Sequence, residues 1–210
     1  MTSWTDFCAL LKLHAEPVVL LEGRRSITPA DAVKAVRMGR FLAEQFPAGR
    51  FRSGNAEGSD AAFAEGVAMV DPARLEVVTP YPGHRHKARV LGADYAAPCD
   101  ADRLREPELL AQTVQATPGN QRLIAQYGRS GKGGAKAAYL VRDTLKVLGI
   151  EGRLVRPVAA LFWVDPSDPE AGGTGHTIRV CRQNDVPVYF QDTWGAWLPD
   201  TVRASYRARQ

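Results

Sequence analysis

Five short runs in this chain concentrate apolar residues without regular alternation: PVVLLEG (17–23), RFRSG (50–54), LEVVTPYP (75–82), PVAALFWVD (157–165) and VPVYFQ (186–191). A strand with one face in water alternates apolar and polar residues, whereas one that is apolar throughout must be covered on both faces. Helical patterns separate the runs. Thr28-Pro29 supplies an N-cap and a proline at the first helical position, and Ala32, Val33, Val36, Phe41 and Leu42 then approximate one apolar face. Behind Ser59-Asp60, Phe63, Val67 and Val70 fall at i, i+4 and i+7. Strands alternating with helices imply a mostly parallel sheet joined by right-handed crossovers. The expected fold is α/β: a Rossmann-like three-layer arrangement around a mostly parallel five-stranded sheet.

Residues 92–134 break this rhythm. REPELLAQTVQAT and PGNQRLIAQYGR read as two helices divided at Thr117-Pro118, since proline can only begin the second. A long helix, GAKAAYLVRDTLKVLG, then leads into the fourth strand. The stretch about 92–134 is expected to be a helical insertion before that strand, within a single domain spanning 1–210. The opening segment 1–16, with Phe7, Leu10, Leu11 and His14 on one face, reads as a docking helix. The arginine-rich tail TVRASYRARQ reads as a disordered or solvated end.

At 210 residues, 45% hydrophobic and 24% charged, the chain has the composition of a soluble globular protein that needs no disulfide or metal staple. Cys8, Cys99 and Cys181 are odd in number and scattered, which suits a reducing compartment. MTSWTDFCALLKLHAEP lacks the basic start and long apolar core of a signal peptide, and no run approaches the roughly 20 residues of a membrane span. A cytoplasmic protein without membrane contact is expected. The formal charge of +4 suits an anionic partner without demanding one.

The small-residue turns carry the functional signal. EGRRS (22–26) follows the first strand, SGNAEGSD (53–60) follows the second and opens a helix, and AGGTGHT (171–177) follows the fourth and opens another. All three belong at the carboxyl edge of the sheet, where open α/β folds bind ligands. Helix N-termini there offer unpaired N–H groups, and glycine lets that backbone approach a phosphate closely. The candidate ligand contacts are Gly23, Arg24, Arg25, Ser53, Gly54, Asn55, Gly58, Ser59, Gly172, Gly173, Thr174, Gly175, His176 and Thr177, with Asp60 as a helix cap. Other motifs fail. GRSGKGGAKAAY has Gly134 where a P-loop requires lysine, no GxGxxG follows the first strand, and no GxSxG is present. The HRH at 84–86 matches no zinc spacing, so neither a metal nor a cofactor is expected. Trp4, Trp163, Trp194 and Trp197 are expected in the core or at an interface.

SGNAEGSDAAFAEGV and GGTGHTIRVCRQNDVPV resemble the SLOG superfamily, the Rossmann-like group that includes the DprA and LOG (Lonely Guy) proteins. Ser53, Gly54, Ala56, Gly58 and Asp60 match the DprA-type SG-x-A-x-G-x-D turn. Gly172, Gly173 and Gly175 match the LOG-type PGG-x-GT-x-x-E, but Ala171 replaces its proline, His176 its threonine and Arg179 its catalytic glutamate. The resemblance covers roughly 17–90 and 155–192. It implies strand order 3-2-1-4-5, so that EGRRS and GGTGHT face each other across a crevice; separately, Lys136, Tyr139 and Arg142 share a helix face at roughly i, i+3 and i+6 that would close the pocket. It leaves three functions open. The first is a sensor or sequestering module for a nucleotide or nucleotide-derived phosphorylated ligand. The second is a LOG-like N-glycosidic hydrolase or transferase acting on nucleoside monophosphates, with Glu57 or Glu22 as the acid. The third is DprA-like binding of single-stranded DNA. Related folds commonly form dimers, which makes a homodimer one expected state.

Overall fold

A computed structural model describes residues 3–199, so the arginine-rich tail lies outside the described residues. The strands are β1 (Val18–Gly23), β2 (Arg50–Ser53), β3 (Leu75–Val78), β4 (Asp94–Ala96), β5 (Ala159–Trp163) and β6 (Val188–Phe190). They form one sheet in the order β4-β3-β2-β1-β5-β6, with every neighbouring pair parallel. The five expected strands keep their expected order. The count is corrected from five to six, because β4 joins the outer edge beside β3 with Glu76 opposite Asp94. Three residues, one of them an aspartate, leave no apolar run to read.

Side chains of β1 alternate between two separate cores, which is why the strand is apolar throughout. Val19 and Leu21 join Met38, Leu42, Phe63 and Val67 on one face, while Leu20 joins Phe162, Ile178 and Val180 on the other. The first face is covered by α1 (Trp4–Lys12), α2 (Pro29–Gln45) and α3 (Ser59–Ala68). In α1, Ser3 Oγ accepts the Asp6 N–H as N-cap, and Phe7 and Leu11 are buried, whereas His14 lies exposed beyond the helix. Trp163, Trp194 and Trp197 are buried in this core and Trp4 packs against it.

The opposite face is covered by α4 (Glu106–Ala116), α6 (Lys132–Leu148) and α7 (Gly172–Gln183). The second helix expected in 118–129 shrinks to α5 (Gln121–Ile124), and α8 (Gln191–Trp194) follows β6. The interruption at 92–134 therefore contributes a strand to the sheet as well as helices.

One internal charge sets the position of α6. Arg52, fully buried within β2, donates through Nε and Nη2 to Glu76 Oε2 at 2.9 and 2.6 Å. It also donates to the carbonyls of Lys146 (2.8 Å) and Val155 (2.6 Å). A buried guanidinium is tolerated only when paired and hydrogen-bonded, and this one ties two strands to the end of α6.

Candidate functional site

Parallel strands put the three small-residue turns at one edge, but they do not play equivalent parts there. A cleft of about 290 Å3 is walled by Glu22–Ser26 at the end of β1 and just beyond it and by Ala171–Thr174 at the start of α7, with Arg142 and Asp143 of α6 behind.

The 53–60 turn is spent on the protein itself. Gly58 has φ +76°, a left-handed conformation that glycine reaches without steric cost, and a Cβ there would overlap the carbonyls of Arg24 and Arg25. Ser59 donates both its N–H (3.0 Å) and its Oγ (2.9 Å) to the Arg24 carbonyl. The β1–α2 loop therefore occupies both donors of Ser59 at the start of α3, and Ser59 presents none to a ligand. Asp60 does not cap its own helix. Its two carboxylate oxygens accept from the N–H groups of Gly23 (3.1 Å) and Gly54 (3.2 Å), joining two turns. Ser53 Oγ turns to the Asp60 carbonyl at 3.4 Å, and the Gly54 carbonyl accepts from Arg142 Nη1.

The turn after β5 differs from expectation in another way: AGGTGHT is largely the first turn of α7 itself, which begins at Gly172. Its N-cap is Ala171, which has no side-chain oxygen to offer. Gly175 N–H bonds to the Ala171 carbonyl, which leaves the N–H groups of Gly172, Gly173 and Thr174 without intramolecular partners among the described residues. These three residues lie at the cleft. Gly175, His176 and Thr177 point inward and are buried.

His176 is fully buried, with Nδ1 at 2.8 Å from Thr117 Oγ1 and Nε2 at 3.0 Å from Thr144 Oγ1. Burial pushes its pKa down to about 4, so it is a neutral tie between α7, α4 and α6 with no face towards the cleft. Thr177 Oγ1 donates to Glu22 Oε1 at 3.1 Å. Arg179, at the position of the absent glutamate, points away: Nε donates to the Ala116 carbonyl at 2.7 Å and Nη2 to Thr117 Oγ1 at 3.1 Å.

Beneath the cleft lies a charged network of which the sequence reading named Glu22 and Arg142 but missed Asp143 and Lys146. Lys146 Nζ, 0% exposed, sits 2.6 Å from Glu22 Oε2 and 2.8 Å from Asp143 Oδ1. Arg142 Nε lies 2.9 Å from the same Asp143 oxygen. Burial raises the Glu22 pKa to about 7, with Lys146 opposing the shift and Asp143 and Asp60 adding to it. Asp143 is held below the ordinary carboxylate range despite its burial, because Arg142 and Lys146 flank it. No periodic signal marks Asp143 or Lys146, since α6 is buried on every side from Val141 to Val147.

The remaining candidates divide. Arg24 is part-exposed and pairs with Asp165 at 3.1 Å; Arg25 is exposed, its guanidinium 5.7 Å from the Tyr139 ring. Both line the cleft. Tyr139 itself bonds His84 Nε2 at 3.0 Å. Glu57, with 74% of its side chain exposed, pairs with Arg85 at 3.3 Å and does not line the cleft. Asn55 likewise faces a neighbouring cavity.

No protein-family profile matches the chain, and no curated protein is similar to it. Among solved structures it is similar to DNA processing protein A from Helicobacter pylori, a structure described for its single-stranded DNA binding mode. That similarity has a TM-score of 0.45 at 13% identity, over 87% of this chain and 67% of that one.

Proposed function

We propose that the cleft binds the phosphate of a nucleotide or nucleotide-derived ligand, which would make the protein a sensor or sequestering module for it. One observation carries this reading: three unpaired N–H groups at the uncapped start of α7 face Arg24 and Arg25 across a cleft backed by Arg142. An uncapped helix start concentrates partial positive charge, and arginines add charge-assisted bonds suited to phosphate oxygens. A ligand present at a hundred times its Kd stabilises the folded state by about 2.7 kcal/mol, so the test is thermal unfolding with a panel of nucleoside phosphates. At least one should raise the melting temperature, and the surface double variant Arg24→Ala/Arg25→Ala should lose most of that rise. A panel without effect on the wild-type protein would refute the reading. Gly54→Val would be a poor probe, because a Cβ there collides with Arg142 and disturbs the fold as well as the site.

Glu22 favours a second reading, N-glycosidic hydrolysis. A carboxyl group in the cleft wall with a pKa of about 7 suits a general acid that protonates a departing base while water adds to the sugar C1′. The products would be free base and ribose 5-phosphate. Chromatography of the same incubations checks it: base released by wild-type protein and not by Glu22→Gln supports turnover, and no base above the Glu22→Gln background leaves binding alone.

A further inference from the structure

Next to the cleft lies a second cavity, of about 390 Å3, within the roughly 300–1,000 Å3 typical of small-molecule sites. It differs in character. Ala61 and Ala64 of α3, with Met69 just beyond its end, form one wall, and Ala88, Val90 and Tyr95 form the other. Alanines at 61, 64 and 68 share a helix face, so the cavity stays open where larger side chains would close it. The two cavities adjoin, because Ala56 and Asp60 line both.

The boundary between them is held firmly. Asp60 anchors it from within through the Gly23 and Gly54 N–H groups. On its outer side Asn55 (φ +54°) and Arg85 (φ +44°) both adopt left-handed backbone, two of the three described non-glycine residues that do so. Each such residue costs on the order of 1–3 kcal/mol and persists where its surroundings over-determine it. Here the Asn55 carbonyl accepts from Arg85 Nη1 at 3.4 Å, joining the 53–58 turn to the loop that roofs the cavity. Asn55 and Arg85, with Ser53, Asp60 and Glu65, are the polar residues lining an otherwise mainly apolar chamber; Asn55 Nδ2 donates to the His84 carbonyl at 3.5 Å and Arg85 also pairs with Glu57.

We propose that this chamber takes the heteroaromatic base of the ligand, an inference that rests on the phosphate reading of the adjoining cleft. A nucleotide is polyanionic at one end and flat, weakly polar and aromatic at the other, and the adjoining cavities carry the same division. Apolar walls favour the ring faces by burial, while Asn55 and Arg85 meet the polar ring edge. The chamber thus makes the site selective for nucleotides over simple sugar phosphates.

Isothermal titration of the full chain with ribose 5-phosphate and with the four ribonucleoside 5′-monophosphates separates the two claims. At least one nucleotide should bind tenfold or more tighter than ribose 5-phosphate, about 1.4 kcal/mol. Ala61→Leu and Ala88→Leu, each at an exposed position on an opposing wall, should fill the chamber and close that gap by weakening the nucleotide. Ribose 5-phosphate binding as tightly as every nucleotide would overturn the base chamber and leave the phosphate reading standing, as would a gap that survives in both filled variants. No binding by any of the five compounds would overturn both.

Discussion

Lys146 holds an ammonium with no access to water between two carboxylates, and its value is clearest from what its loss would leave. Lys146→Met strands Glu22 and Asp143 in the interior without that cation, and removing one partner of a buried ion pair typically costs about 3–5 kcal/mol. Urea unfolding should show a loss of that order; a loss under 1 kcal/mol would mean that water reaches the network. Titration gives a second check with opposite signs at two residues. His176, pushed from 6.5 to about 4, contributes stability that is present above pH 6.5 and lost as pH falls through 4. The stability gap between wild type and His176→Gln should therefore narrow as pH falls over that window, by up to about 1.4 kcal/mol per pH unit. Glu22, raised from 4.5 to about 7, contributes stability present below pH 4.5 and lost as pH rises through 7. Wild type should accordingly gain on Glu22→Gln as pH falls from 7 to 4.5. Gaps that do not move with pH would contradict both assignments. At this scale the sequence was partly legible: Glu22, at the end of the first strand, was one of two candidate acids, and Arg142 was placed on a helix face expected to close the pocket. Asp143 and Lys146 were not marked, because charges on a long helix read by default as its solvated face.

Between elements, the site depends on how closely α2 and α3 approach. Gly66 of α3 lies against the Val36 carbonyl and Gly39 of α2 against the Phe63 carbonyl, so a Cβ at either would overlap backbone. This contact seats α3, and with it the 53–60 turn that fixes the floor of the cleft. Gly66→Ala should destabilise by about 1–3 kcal/mol, measured by the denaturation midpoint, although alanine is the better helix former in isolation. Stabilisation instead would show that the helices have room to separate. The strands and long helices were legible because burial on two faces leaves unbroken apolar runs and capped helices leave start signals. β4 was not, being held by pairing to β3 rather than by its own pattern. AGGTGHT was read as a turn that opens a helix after it; α7 instead begins within it at Gly172, with no side-chain cap.

For the whole molecule, the parallel sheet with helices on both faces determines where a ligand can sit, since every β-to-α turn opens on one edge. The sequence identified that edge and the turns on it. It did not reveal which turn keeps its N–H groups free, because contacts from residues distant in the chain decide that: the Arg24 carbonyl takes the Ser59 N–H at the start of α3, while among the described residues no group takes those of Gly172, Gly173 and Thr174. The most direct measurement is therefore an amide-resolved NMR titration with ribose 5-phosphate. The largest shifts should fall on the amides of Gly172, Gly173 and Thr174, with those of Ser59 and Gly54 nearly still. Largest shifts at Gly54–Ser59, or saturating concentrations that leave the α7 amides unmoved, would contradict the account.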